Sequence, residues 1–315
     1  MTDQQLTELQ ERSKAQFSAK VLADSVNVCG NRLMTFELTY PRCIHSEIMT
    51  HRLFSRNAAS SRAIPVNKTL EAIRERPFVP FHWGKNQSGM QAYEVLSEEE
   101  QKHARRRWIE LSEVAAHEAS QMCAAGLHKQ IANRVLEPWM FITVILSTTS
   151  FRHFELLRDH PMAEPHFQYL AKLMVKARSE SIPELLQVGQ WHLPLVYEED
   201  KHLSLEDQKK VSVARCARVS YVRQNEIKDY ADDFALHDRL VGSDPKHSSP
   251  AEHQAAPHVT EEYRHRSEFP PGKVLTGNYA PLHSGNFLGW KQYRKEIEGE
   301  FISDPVYAGP VRVRT

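Results

Sequence analysis

Thirteen residues hold most of the chemistry that the sequence offers: Thr50-His51-Arg52-Leu53-Phe54-Ser55-Arg56-Asn57-Ala58-Ala59-Ser60-Ser61-Arg62, with three arginines, a histidine, an asparagine and three serines. Most of these side chains donate hydrogen bonds, and arginine keeps its charge at any working pH. Such a set suits phosphates and planar, anionic heteroaromatic rings. Arg62 and the neighbouring serines could hold a nucleotide phosphate, because a guanidinium fork matches phosphate oxygens in bidentate fashion. The alternative is a solvated loop or helix face, although Ser and Asn are weak choices for a merely solvated helix.

Three further groups stand out. In His247-Ser248-Ser249-Pro250-Ala251-Glu252-His253, the Ser249-Pro250 pair has the form of a helix N-cap followed by proline at the first helical position. In Phe151-Arg152-His153-Phe154-Glu155-Leu156-Leu157-Arg158-Asp159, a helix would place Phe151, Phe154 and Arg158 on one face. An arginine on the margin of an apolar face is either a snorkelling surface group or a buried anion ligand. Val213-Ala214-Arg215-Cys216-Ala217-Arg218-Val219-Ser220-Tyr221 reads as a strand or turn lining a cofactor, or as a plain amphipathic strand.

The elements that must position these groups follow from pattern. Leu33–Tyr40 reads as a strand leading, past Pro41, into the basic cluster. Residues 1–24 read as a polar helix or loose tail. Phe78–Met90 reads as a loop. Ser97-Glu98-Glu99-Glu100 is a capping box opening a helix whose apolar face would be Ala104, Trp108, Leu111, Ala115, Ala119 and Met122, stopping at Gly126. Residues 127–157 read as mostly helical, with Trp139–Leu146 apolar on all sides and therefore buried. His166–Arg178 reads as a helix, Val211–Tyr221 as a strand, Asp229–Leu240 as a helix, and 241–286 as loops.

Bulk properties narrow the function. The 315 residues carry 40 basic and 40 acidic side chains, so net charge gives no argument for nucleic-acid binding. No stretch approaches the roughly 18 apolar residues that span a membrane. The polar start Met1–Gln5 lacks the form of a signal peptide. The four cysteines, Cys29, Cys43, Cys123 and Cys216, are scattered and build no disulfide framework, which fits a reduced, cytoplasmic setting. The 17 histidines fall in no zinc-binding frame, so no metal is expected.

Taken together, the four groups resemble the motifs of the flavin-dependent thymidylate synthases. That family's signature is Arg-His-Arg, seven residues, Ser, and then Arg; here it reads Thr50-His51-Arg52, seven residues, Ser60, and Arg62. Its His-x-Ser/Thr-Pro-Phe-Glu-His segment is similar to His247–His253, its Ala-Arg-Val-Ser-Tyr to Ala217–Tyr221, and its Phe-x-x-Leu-Arg to Phe154–Arg158. The matches stand in a different order from the family's, which implies a circular permutation. They cover roughly residues 32–178 and 211–258. The division expected is a helix or tail over 1–31, a catalytic domain over 32–258 with a connector at about 185–210, and an extension over 259–315. Within the extension, Gly285–Arg294 could complete a site or begin a docked helix.

The resemblance implies an α+β fold with an antiparallel sheet and long helices, FAD held between subunits of a homotetramer, and dUMP as substrate. It further implies reductive methylation to dTMP with methylenetetrahydrofolate and NADPH as co-substrates, and neither nucleic-acid nor membrane partners. Carried over by position, Thr50, His51, Arg52, Leu53 and Ser249 would contact FAD; His153, Ser220, His247 and Glu252 would shape its pocket. Glu47, Ala59, Ser60, Ser61 and Arg62 would hold the nucleotide, with Arg134 substituting near the phosphate for a family arginine that falls at Asn133. Arg158 would face the uracil ring as the catalytic cation. The departures are Thr50 in place of Arg, Ala58 in place of Glu and Ala251 in place of Phe. They leave open a related flavin-dependent modification of a pyrimidine nucleotide, such as hydroxymethylation, and a non-catalytic nucleotide-binding homologue.

Overall fold

The computed structural model describes residues 1–219, 229–258 and 286–298. Its centre is a mixed sheet of order β3-β4-β2-β1-β5. The strands are β1 (Ser18–Asn27), β2 (Arg32–Pro41), β3 (Ser55–Ala58), β4 (Phe141–Thr148) and β5 (Glu184–Leu186). All neighbours pair antiparallel except β1 with β5. A second, two-stranded sheet joins β6 (Ala255–Pro257) to β7 (Trp290–Gln292). The helices are α1 (Asp3–Lys14), α2 (His45–Met49), α3 (Val66–Glu75), α4 (Glu98–Ala124), α5 (Lys129–Ala132), α6 (Arg152–Arg158), α7 (Pro165–Glu180), α8 (Leu205–Arg218) and α9 (Tyr230–Gly242). The fold is therefore the mixed α and β class expected from the sequence.

Side-chain alternation divides β2 and β4 between two very different surroundings. Met34, Phe36, Leu38 and Tyr40 point with Ile142, Val144 and Leu146 into the main core, where Phe154, Phe167, Leu170 and Met174 from α6 and α7 meet them. The other face is built differently along its length. Leu33 meets Ala255, Phe287 and Trp290, and Ile145 meets Leu195, Cys216 and Val219. Between these apolar patches the face carries hydroxyls. Thr35 Oγ1 lies 2.6 Å from Ser147 Oγ and 2.8 Å from Nε2 of the buried His192. His192 Nδ1 in turn lies 2.8 Å from Ser25 Oγ, and Ser147 Oγ 2.8 Å from Nδ1 of the buried His253.

The sheet's second face is thus closed by residues distant in sequence. Asn57 Nδ2 donates to the Cys216 carbonyl at 2.6 Å, tying the edge strand β3 to α8. Asn27 Nδ2 donates to the Gly289 carbonyl at 2.8 Å, tying the β1–β2 turn to the segment before β7. Gly289 has φ +76°, and a Cβ there would stand 2.4 Å from Asn31 Nδ2, so only glycine fits that approach.

Several elements depart from their sequence reading. The stretch 127–157, expected to be mostly helical, contains the interior strand β4. A strand buried on both faces shows no alternation, and its β-branched run Ile142-Thr143-Val144-Ile145 was the usable signal. Val211 to Arg218, expected to be a strand, lies in helix α8, capped by Ser204 accepting from the Asp207 amide. α8 is covered by the sheet on one side and by Leu236 of α9 on another, which erases its helical periodicity. The N-terminal 31 residues, expected to be a helix or tail, form α1 and also β1. The connector at about 185–210 includes most of β5 and the start of α8. The capping box at Ser97 and Glu100 forms as expected, and Gly126 takes φ +94° beyond the helix end. The buried face of α4 is Ile109, Ser112, Ala115, Ala116 and Ala119, whereas Leu111 points outward. No helix among the described residues is long and apolar enough to cross a membrane.

Burial pushes His192 and His253 down to about 3, so both are neutral in the folded chain at ordinary pH. The unfolded chain takes up protons near pH 6.5 and the folded chain does not, so stability is full above that value and falls as pH drops from about 6.5 toward 3. The expected slope approaches roughly 1.4 kcal/mol per pH unit for each histidine. Urea unfolding between pH 7 and 5 tests this; a stability flat over that range would contradict it.

Candidate active site

α6 is a helix of 7 residues, too short to stand alone, and it is pinned by its aromatic face. Phe151 stacks on Phe36 at 5.9 Å, and Phe154 lies 5.3 Å from Phe54 and 5.9 Å from Phe167. This fixes the last residue of the helix, Arg158, over the α2–β3 loop. The guanidinium has a different acceptor on each nitrogen. Nε donates to His51 Nε2 at 2.9 Å, one terminal nitrogen to Glu47 Oε2 at 3.4 Å, and the other to Thr50 Oγ1 at 3.0 Å. Its plane also lies over the Phe167 ring at 5.0 Å. Three of its five N–H groups are used in this way, leaving two for a ligand.

The arrangement fixes the state of His51. Because Nε2 accepts from arginine, the ring proton must sit on Nδ1. Burial, then the charges of Arg158, His153 and Arg56, push the imidazole down to about 4. The ring stacks on Phe54 at 5.3 Å and meets the edge of Phe154 at 5.0 Å. A neutral imidazole and a carboxylate therefore aim a fixed cation. Such a cation stabilises a developing negative charge without reorganising at the moment of reaction. Thr50 takes part by donating to the Glu47 carbonyl at 2.7 Å while accepting from Arg158.

The basic stretch does not form one patch. β3 runs through its middle, pairing Ser55 with Ser147 at one end and Ala58 with Val144 at the other. At about 3.3 Å per residue, the two halves are separated by roughly 13 Å. Thr50 to Phe54 belong with Arg158. Ala59 to Arg62 belong with Glu137 and Arg42 instead. Arg42 donates to the Ala59 carbonyl at 3.1 Å and pairs with Glu137 at 3.0 Å. Ser61 is buried and donates to Glu137 at 2.8 Å. Arg134 pairs with the same carboxylate at 3.8 Å, and Arg62 is exposed.

The His247–His253 segment does reach the edge strand. Its turn, Ser249–Glu252, packs beside β3. Gln292 Nε2 bridges the two, donating to Ser55 Oγ at 3.0 Å and to the Glu252 carbonyl at 2.8 Å. Glu252 pairs with Arg294, and its charge acts on Arg56, whose guanidinium donates to the carbonyls of Ile48 and His51. Arg56 is a residue to which sequence reading gave no role. It ties β3 to the end of α2 and to the loop carrying His51, and its position between the two halves of the signature was the signal. His247, Ser249, Arg52, Leu53 and His153 are exposed. Ser220 lies outside the described residues. Of the predicted site residues, Glu47, Thr50, His51 and Arg158 meet directly.

The sequence matches no family model and no curated protein. Among solved structures, the chain is similar to the UMP/dUMP methylase PolB from Streptomyces cacaoi bound with 5-Br UMP. That likeness has 17% identity and a TM-score of 0.43, covering 52% of this chain and 89% of the other. Against PolB bound with 5-Br dUMP the values are 21%, 0.41, 47% and 67%. Likeness at this level defines neither a fold nor an activity for this chain.

Phe154 carries the positioning of Arg158 and His51. Phe154→Ala should lower stability by about 3–5 kcal/mol, measured by chemical denaturation; a loss below about 1 kcal/mol would show that α6 is held by other contacts.

Proposed function

We propose that the chain is a flavin-dependent enzyme acting on the uracil ring of a pyrimidine nucleotide, with reductive methylation of dUMP to dTMP as its reaction. The observation that carries this reading is Arg158, aimed by His51, Thr50 and Glu47 with two N–H groups to spare. A fixed guanidinium favours the N3-deprotonated uracil ring, because an adjacent positive charge stabilises the anionic form. The four sequence motifs add to it, since segments far apart in the chain meet along β3 in the fold.

The residues around Arg158 fit a flavin in kind. Met49, Leu53, Leu156 and Leu157, which flank the cluster in sequence, are each about half exposed (48, 55, 56 and 48%) and offer an apolar surface to a flat ring system. Arg52, His153, His247 and Ser249 supply exposed polar groups to a pyrophosphate and ribityl chain. When bound, FAD supplies the redox chemistry, with NADPH as reductant and methylenetetrahydrofolate as one-carbon donor. A single chain presents this surface open to solvent, which supports a homo-oligomer, a tetramer in the family that the sequence resembles, as the working form. Ala58 favours a second reading. With no carboxylate at the place where the resemblance expects Glu, the one-carbon product could be hydroxymethyl in place of methyl.

The purified protein should be yellow, with flavin absorbance that titrates as one FAD per chain; a colourless protein that takes up no added FAD would refute both readings. Product analysis with dUMP, methylenetetrahydrofolate and NADPH then separates methyl from hydroxymethyl transfer. Arg158→Ala should lower turnover by at least about 100-fold, the range for removing one group that stabilises developing charge, while FAD stays bound. Ordinary turnover in that variant would remove Arg158 from its role.

A further inference from the structure

A cleft of ≈ 730 Å³ opens at the far end of β3 from Arg158. Its floor is Thr39 and Thr143, on the half of the β2–β4 face turned away from the core, together with Phe141, whose ring also meets Phe17 and Phe78 at the edge of the core. Thr39 and Thr143 are register partners, with hydroxyl oxygens 3.5 Å apart. α3 forms one wall, and the 59–65 segment forms another.

Four cations line it: Arg42, Lys68, Arg76 and Lys129. They come from three places in the chain: Arg42 just after β2, Lys68 and Arg76 in α3 and at its C-terminal end, and Lys129 at the start of α5. Two carboxylates on α3, Glu71 and Glu75, line it as well, so the cations outnumber them. Arg42 is partly neutralised by Glu137 at 3.0 Å, and Lys129 donates to the Ala63 carbonyl at 3.1 Å. Lys68 and Arg76 are exposed and enter no side-chain ion pair with the described residues. A second observation is independent of charge. Thr69 lines the same cleft, is buried, and its hydroxyl has no hydrogen-bond partner among the described residues. A buried hydroxyl left unpaired is costly, and a ligand oxygen would satisfy it.

Volume decides what the ligand is. Inorganic phosphate alone would leave most of the cleft empty, whereas clefts of about 300–1,000 Å³ suit small organic ligands. We propose that this cleft binds a phosphate monoester carried on a planar ring, with Lys68, Arg76 and Lys129 around the phosphate and Phe141 beside the ring. The site stands apart from the Arg158 cluster and does not depend on the chain holding a flavin.

The test is calorimetric titration of dUMP, deoxyuridine and inorganic phosphate into the Arg158→Ala chain, which lacks the other cation able to meet the ring. dUMP should bind at least about tenfold more tightly than either deoxyuridine or inorganic phosphate. Lys68→Glu with Arg76→Glu should weaken dUMP by at least about tenfold; both side chains are exposed, and circular dichroism verifies that the fold is kept. Thr69→Val, which removes only the hydroxyl, should weaken dUMP by about threefold. Undiminished dUMP binding in the folded Lys68→Glu, Arg76→Glu chain would overturn the proposal, as would deoxyuridine binding as tightly as dUMP. Loss of FAD uptake with dUMP binding at the cleft intact would refute the flavin reading and leave this one standing.

Discussion

Closing the second face of the sheet with hydroxyls and two neutral histidines is the constraint on which the rest of the structure depends. Thr35 and Ser147 are paired at the middle of the sheet, and each also bonds an imidazole from a different distant segment. A hydroxyl can donate to one partner and accept from another, so each of these oxygens can serve two neighbours. The network holds only while both rings stay uncharged and seated. It places the 187–196 segment and the turn before β6 against the strands, and β3 is thereby bracketed between the sheet and Ser249–Glu252. Everything proposed for Arg158 assumes that bracket, because the loop bearing Thr50 and His51 leads directly into β3.

Two electrostatic devices are then set on one short strand. At one end, a guanidinium is surrounded by acceptors of graded character: a neutral ring nitrogen, a hydroxyl and a carboxylate. At the other, several cations face a hydroxyl-bearing floor with only part of their charge answered. The first geometry restrains direction and suits a single ligand pose. The second is a broad field that attracts an anion with less regard to its orientation. The separation along β3 keeps the two positive sites from repelling each other at close range or competing for one anion.

Much of this could be read in the chain and some could not. The capping box at Ser97, the strand over 33–40 and the Phe154–Arg158 face are local signals, and local physics decides them. β4 and α8 are hidden in the sequence for one shared reason: an element covered on all sides loses the alternation or periodicity by which it is recognised. The division of the basic stretch was also hidden, since density of charge in sequence says nothing of a strand passing through its middle. Glu137 shows the limit most plainly. It gathers Arg42, Ser61 and Arg134, yet nothing in its own neighbourhood marks it as a hub. Its partners are fixed only once β4 brings the turn before it against the segment after β3.

The link between Asn27 and Gly289 spans 262 positions, and that between Ser25 and His192 spans 167. Contacts this distant in sequence slow folding, because the loop between them must close before the contact can be made. During synthesis, β1 to β4 and α7 are complete well before α8, His253 and the 286–292 segment, which cover much of their second face, exist. That face must therefore wait in water, and its composition is suited to waiting. Ser25, Thr35, Thr39, Thr143 and Ser147 can all be satisfied by solvent, whereas a leucine-rich surface of the same size would invite pairing with another nascent chain. The hydroxyls that later seat the histidines thus also serve an earlier purpose, as a wettable edge that lets a half-made protein remain in solution until its own later segments arrive.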